Sequence, residues 1–478
     1  MNIFKIFTIS IVLLTACKTK TKTTSEKEKL NKPNIIYILA DDLGIGDLGT
    51  YGQEKISTPN IDAMAKNGIK FTQHYSGSAV CAPSRSSLMT GQHTGHTPIR
   101  GNKEDIVLGG QVPLPAESIT IAEMLKKVGY VTGMFGKWGL GFGEGDPNKQ
   151  GFDEFYGYND QKLAHRYYPA YLNHNQEIDS LEGNDWTQTE IYAQDKIQEK
   201  TLEFIEVNKD KPFFAYVPFV LPHAELISPK DSILQKYIGK FDEVPYKDHP
   251  YSSDYGPNMV EYKYCTQEIP FAVFASMVDR MDTYVGQIIT KVKELGLEEN
   301  TIIMFTSDNG AHDAGGANPA YFNSTAGLRG IKRDLYEGGI RAPFIASWPK
   351  TIRPGTVSNH ISAFWDVMPT LAELVGVETP KQSDGISFLP TLLNQKEQKQ
   401  HDYLYWEFNI KGGRKAVRLG EWKGVIYKGN NKKSKIELYN LELDEKETNN
   451  VASEHPEVVA KIEKIMTSAR TKSTHFEF

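Results

Sequence analysis

The stretch NIIYILADD at residues 34–42 decides the fold class. Residues 34–40 form a continuous apolar run, which suits a strand covered on both faces, as in a parallel sheet. Asp41 and Asp42 follow directly, and Gly44 and Gly46 keep the next loop open. A second run of this kind, TIIMFT at 301–306, leads to Asp308, Asn309 and Gly310. In parallel α/β sheets ligands gather at the carboxyl ends of strands. Two strands that each end in a pair of oxygen donors can converge on one hard cation. Carboxylate and amide oxygens suit calcium or magnesium, not zinc. Either pair alone would read as a turn; the two together point to a metal.

Helical patterns separate these runs. Thr120 and Glu123 have the spacing of a capping box, followed by Leu125 and Val128 and stopped by Gly129. From Phe271 to Leu295 the apolar residues Phe274, Met277, Val278, Met281, Val285 and Ile288 keep a helical period that ends at Gly296. Strands alternating with helices predict an α/β fold with a doubly wound, mostly parallel sheet. After about residue 375 the texture changes. Short strand-like pieces at Tyr403–Trp406, Trp422–Tyr427 and Ile436–Leu441 precede a helical pattern carrying Val458, Val459, Ile462, Ile465 and Met466. The expected division is a large domain over 33–375 and a small α+β domain, an antiparallel sheet plus a helix, over 376–478.

A chain of 478 residues, 39% hydrophobic and 24% charged, can bury a sizeable core. Its net charge is −6, and no block of basic residues with interleaved aromatics appears, so no nucleic-acid partner is expected. Residues 1–16 read as a leader: Lys5, then a short apolar run from Ile6 to Leu14. The run ends in Leu14, Thr15, Ala16 and Cys17, which resembles the bacterial lipoprotein cleavage box. Cys17 would then be lipidated. Residues 17–32, mostly Lys, Thr, Glu and Ser, read as a flexible tether. The expectation is an exported bacterial lipoprotein, periplasmic or at the cell surface, held to the membrane by that lipid. Three cysteines are present, Cys17, Cys81 and Cys265, so no disulfide framework is expected and Cys81 needs another explanation.

CAPSR at 81–85 supplies one. Pro83 and the serines after it suit the start of a helix and Gly91 its end, which puts Cys81 at the positive, anion-attracting end. A buried cysteine at a helix start is the plain alternative. Cys-x-Pro-x-Arg resembles the recognition motif of the type I sulfatases of the alkaline phosphatase superfamily, in which the cysteine is oxidised to formylglycine by a maturation enzyme. Other stretches match that family in order. They are Asp41-Asp42, Gly136-Lys137-Trp138, Ser307 to Gly310, Leu328 to Lys332, Tyr336 to Arg341, and the C-terminal pieces 437–441 and 447–450.

The resemblance implies an alkaline-phosphatase-like fold and a sulfuric ester hydrolase. Asp41, Asp42, Asp308 and Asn309 are implied calcium ligands (magnesium a possible substitute), completed by the modified Cys81. Arg85 would hold the hydrated aldehyde. Lys137 and Lys332 would neutralise sulfate oxygens, with Lys332 also assisting the departing alcohol, and His223 would protonate it. Cations and a metal stabilise a sulfuryl group in transfer where its charge develops.

One departure stands out. The family pattern runs Gly-Lys-Trp-His-Leu-Gly, and here Gly139 replaces the histidine. His312, which follows the metal pair, is the first candidate to take over its role, then His165 in the aromatic stretch HRYY at 165–168, then His93 and His96. His312, His165 and Arg100 are assigned to substrate binding. The expected substrate is a sulfated carbohydrate, such as an algal or host glycan, with a 4- or 6-sulfated galactose-type sugar as the expected unit. Two other readings stay open: a phosphodiesterase or phosphonate hydrolase of the same superfamily, and a glycan-binding lipoprotein that lost catalysis.

Overall fold

In a computed structural model, described for residues 32–478 apart from 108, 248–253, 258, 260–262 and 432, the apolar run at 34–40 is the centre of the fold. The leader, Cys17 and the tether up to Asn31 lie outside the described residues. In chain order the strands of the main sheet are β1 (Asn34–Ala40), β2 (Ile69–Tyr75), β3 (Val131–Lys137), β4 (Glu154–Tyr158), β5 (Tyr171–His174), β6 (Glu177–Ser180), β7 (Phe213–Pro218), β8 (Thr301–Ser307), β9 (Arg341–Ser347), β10 (Thr356–Ser358) and β11 (Ser362–Ala363). Their spatial order is β10-β2-β9-β8-β1-β7-β3-β4-β5-β6, with β11 beside β2.

All seven residues of β1 are buried because both its edges and both its faces are covered. It pairs in parallel with β7 and β8. Ile36 and Ile38 face one helical layer with the helix Pro270–Glu294; Ile35, Tyr37 and Leu39 face the other, with the helices Ile121–Lys126 and Val367–Val375. Each such side chain removed from water stabilises the fold by roughly 1.5–3 kcal/mol. The helix Ile121–Lys126 starts as its sequence predicts. Glu123 N donates to Thr120 Oγ1 at 3.1 Å, and Thr120 N donates to Glu123 Oε2 at 2.9 Å.

The sheet is an α/β, doubly wound and mostly parallel one, with antiparallel exceptions that the patterns did not announce. β9 runs antiparallel between β8 and β2, and β5 and β6 close the far edge as an antiparallel pair. A second sheet, antiparallel throughout, has the order β12 (Leu404–Phe408), β13 (Arg414–Leu419), β14 (Trp422–Tyr427) and β15 (Glu437–Asn440). Strand β13 escaped the sequence reading. Its sequence, RKAVRL, is half cationic, yet Arg414 and Arg418 are buried, and Arg414 pairs with Asp334 at 2.9 Å. The helix Pro456–Ser468 covers one face of this sheet with Val458, Ile462 and Met466. Trp406 on the other face packs with Tyr75, Tyr336 and Trp365, and its Nε1 donates to Ser76 O at 2.9 Å.

Candidate active site

The parallel register between β1 and β8 sets Ala40 opposite Ser307, so Asp41 and Asp308 leave the two strands side by side. Asp308 N donates to Ala40 O at 3.0 Å. Asp42 takes a left-handed backbone, φ 65°, which aspartate tolerates. Its amide donates to Asp308 Oδ1 at 3.1 Å, and its own Oδ1 accepts from Asn309 Nδ2 at 2.7 Å. Strand β3, on the far side of β7, brings Lys137 into the same cluster, with Nζ 2.6 Å from Asp41 Oδ2.

Cys81 is the first residue of the helix Cys81–Thr90, which Gly91 ends at φ 66°. Arg85, one turn on, shares its face of the helix. Its Nε and Nη2 donate to Asp308 Oδ2 at 3.0 and 2.9 Å, and Nη1 donates to the Lys137 carbonyl. Lys332 donates to Asp42 Oδ2 at 2.5 Å and lies 3.0 Å from His223 Nε2. Arg85, Lys137, Asp41, Asp42, Asp308 and Asn309 are at most 1% exposed, and Lys332 and His223 nearly so. Three cations and three carboxyl groups thus stand in one buried pocket beside Cys81.

The electrostatics follow from that packing. Burial raises the Asp308 carboxyl, and the neighbouring Asp41 carboxylate raises it further, to about 7. Asp41 goes the other way: burial opposes its charge, and Lys137, His223 and Arg85 outweigh burial. Burial and then Lys332 hold His223 well below the usual histidine range. His223 Nδ1–H donates to the Ala224 carbonyl, which leaves Nε2 as the bare nitrogen facing Lys332.

Two buried oxygens in this cluster, Asp41 Oδ1 and Asn309 Oδ1, have no hydrogen-bond partner. Buried acceptors are nearly always paired, and orphans call for an explanation. Beside Asp42 and Asp308 they complete a set of oxygen donors, the set a hard divalent cation takes. Asp41, Asp42 and His223 each offer a ligand atom within 4.8 Å of the others.

The structure brings Cys81, Arg85, Lys137, His223, Lys332, Asp41, Asp42, Asp308 and Asn309 together. The other sequence candidates are placed as follows. His165 stacks on His223 with ring centroids 4.6 Å apart and borders a cavity of about 380 Å³. His312 has its ring between two backbone groups: its Nδ1 accepts from Ala314 N and its Nε2 donates to Pro222 O, each at 3.1 Å. Arg100 is not at the cavity; it is tied to Thr97 O, Glu407 and Thr471, the last two beyond residue 400. His93 and His96 stack on each other beside Asp384. His93 Nδ1 accepts from Gly95 N at 3.1 Å, which puts the neutral ring's proton on Nε2 toward Asp384 and leaves it no lone pair for an ion.

Two residues that sequence reasoning missed line the cavity with His165 and Tyr264: Asn102 and Gln161. Asn102 Nδ2 lies 3.5 Å from Cys81 Sγ. Neither sits in a motif, and only the fold brings them to the nucleophile's side.

Residues 33–377 match the family model described as "Sulfatase", and residues 331–472 match "N-sulphoglucosamine sulphohydrolase, C-terminal". An arylsulfatase of Hemicentrotus pulcherrimus is 32% identical over 428 residues, covering 84% of this chain and 69% of the relative. An N-acetylgalactosamine-6-O-sulfatase of Bacteroides thetaiotaomicron is 30% identical over 525 residues, covering 97% and 98%. Among solved structures, Ps i-CgsB in complex with k-i-k-neocarrahexaose superimposes with a TM-score of 0.76 at 28% identity, covering 94% of this chain and 95% of that one.

Proposed function

Since this chain belongs to the sulfatase family of hydrolases, we propose that it removes sulfate from a sulfated carbohydrate, with Cys81 as the reacting position after conversion to formylglycine. The observation that carries the reading is the set of three buried ion pairs, Arg85–Asp308, Lys137–Asp41 and Lys332–Asp42, converging on one cysteine at a helix start. Three cationic side chains face three carboxyl groups there. A divalent ion added at the orphaned oxygens leaves the pocket net positive, which favours a bound sulfate ester.

Asp41, Asp42, Asp308 and Asn309 would hold that ion, calcium or magnesium, which supplies charge stabilisation to the sulfuryl group when bound. The hydrated aldehyde of residue 81, once formed, would supply a hydroxyl nucleophile for sulfur and a way to release sulfate. The chain's own residues do the rest. Arg85, locked on Asp308 and the Lys137 carbonyl, fixes the helix start that carries residue 81. Lys137 and Lys332 face the sulfate oxygens with their ammonium groups. Lys332 and His223 Nε2, 3.0 Å apart, share a proton at the place where the sugar oxygen departs.

The N-acetylgalactosamine sulfatase likeness over nearly the whole chain and the complex of the Ps i-CgsB structure with an oligosaccharide support a glycan as substrate. So does the polar cavity lined by Asn102, Gln111, Gln161 and His165. We propose in addition that Cys17 is lipidated and anchors the exported protein to a membrane. Cys17→Ala should then move it from the membrane to the soluble fraction. The hydrolase reading is tested by mass spectrometry of the Cys81 peptide, together with sulfate release from a panel of sulfated sugars. Wild type should carry formylglycine and release sulfate. Cys81→Ala should fold and be inactive; robust turnover by that variant would refute the assignment.

A further inference from the structure

Gly139 lies against Gln161, a residue of the cavity wall. A Cβ placed on Gly139 would lie 3.0 Å from Gln161 Oε1, and its next contacts are with the same side chain. At φ 73° any side chain at residue 139 is strained as well. Glycine there leaves the Gln161 carboxamide room beside the end of β3, two residues past Lys137. Gln161 is only 6% exposed, yet its Oε1 has no hydrogen-bond partner. Its backbone is fixed, with the amide donating to Gln111 Oε1 at 3.2 Å. On the same wall stand Asn102, which reaches Cys81 Sγ, and His165, which stacks on His223. The Gln161 side chain lines the cavity on the wall shared by the nucleophile's and the acid's neighbours, where a polar group of a ligand can meet its carboxamide.

We propose that Gln161 is a specificity-determining residue whose carboxamide hydrogen-bonds a free hydroxyl of the sugar ring that carries the sulfate ester. This deepens the sulfated-carbohydrate reading and rests on it. A hydroxyl suits the group because it donates to Oε1 or accepts from Nε2. A site built around such a bond rejects a ligand that lacks the hydroxyl far more strongly than an apolar pocket rejects a misfit, since the buried amide is then left unpaired. The enzyme therefore favours polyhydroxylated sugar sulfates over aryl sulfates without hydroxyls.

The test is Gln161→Leu, close in volume and unable to hydrogen-bond. On the best sulfated monosaccharide of a panel, kcat/KM should fall tenfold or more, about the loss expected of a hydroxyl-reading group. On 4-nitrophenyl sulfate it should stay within about twofold, a split that a purely structural role would not produce. Equal losses on both substrates, or none on the sugar, overturn the proposal. Calorimetric binding of the same sugar sulfate to Cys81→Ala, with and without Gln161→Leu, decides the matter independently of turnover. Binding weakened about tenfold supports the proposal, and unchanged binding or none at all overturns it. A wild-type chain that binds the sugar through Gln161 but releases no sulfate counts against the hydrolase reading alone.

Discussion

The imidazoles of His165 and His223 lie face to face, with ring centroids 4.6 Å apart and planes within 3° of parallel. On its other side His223 stacks against His312 at 5.7 Å, so its ring is held in a slot. The slot keeps Nε2 aimed at Lys332 and Asp42, 3.0 and 3.2 Å away. His165 thus acts on the reaction through His223 as well as bordering the cavity. His165→Ala should lower kcat about tenfold on both sugar and aryl sulfates, a fraction of what a positioned acid–base group supplies. If only KM on sugars rises, His165 is a sugar contact and nothing more.

Removal of the divalent ion should stop turnover. Asp41 Oδ1 and Asn309 Oδ1 are unpaired without it, and three carboxylates crowd one buried point. Chelation should abolish sulfate release and lower Tm. Calcium should restore both, since an ion bound only by the folded chain stabilises it by about 2.7 kcal/mol at a hundred times its Kd. Elemental analysis of the purified protein should find calcium. Stoichiometric zinc in its place would contradict the oxygen-donor reading.

How much of this the sequence announced depended on the range of the interaction. The central strands were legible because apolar runs ending in Asp41-Asp42 and Asp308-Asn309 carry both the burial pattern and the chemistry locally. The helix from Cys81 was legible from Pro83 and Gly91 for the same reason. β13 was not, since its arginines are met by partners far away in sequence, Asp334 for Arg414 and Gln73 and Tyr75 for Arg418. His312 stood next to the metal pair in sequence, but its ring is turned to two backbone groups, one of them at Pro222. Gln161 and Asn102 had no local signal, because their role exists only once β3, the helix from Cys81 and the turn at 160–165 are side by side.

The junction between the two sheets supplies a stability prediction. Lys423 on β14 is fully buried between Glu337 at 2.8 Å and Glu447 at 2.9 Å. Burial opposes the charge of Glu337, but Lys423 and Arg341 outweigh it and hold the carboxyl low. Lys423→Met leaves two buried carboxylates without their shared cation and should cost roughly 3–5 kcal/mol. Adding Glu337→Gln and Glu447→Gln should recover much of the loss in a denaturant titration. A single variant as stable as wild type would show that the carboxylates find other partners.

A pH-dependent contribution to stability should come from His401. Its Nε2 lies 2.7 Å from Asp366 Oδ1, and its side chain is 9% exposed. Burial by itself would lower its pKa, but Asp366, then Asp384 and Asp402, raise it above the ordinary 6.5. His360, a titratable neighbour, is pushed down instead, by burial first and further by His401, against the pull of Asp366. A folded pKa above the unfolded one means that the folded chain holds the proton more tightly. The stabilisation is therefore complete below about pH 6.5 and fades as pH rises through the folded value. Asp366 also accepts from Ala363 N at 2.8 Å and Ile386 N at 2.9 Å, so the charged histidine braces a carboxylate that ties two loops to a helix start. Comparison of wild type with His401→Gln by thermal unfolding should give a Tm gap that is largest near pH 5.5 and shrinks toward pH 9. A gap that stays constant, or widens with rising pH, would mean that His401 holds Asp366 as a neutral hydrogen-bond donor and not as a cation.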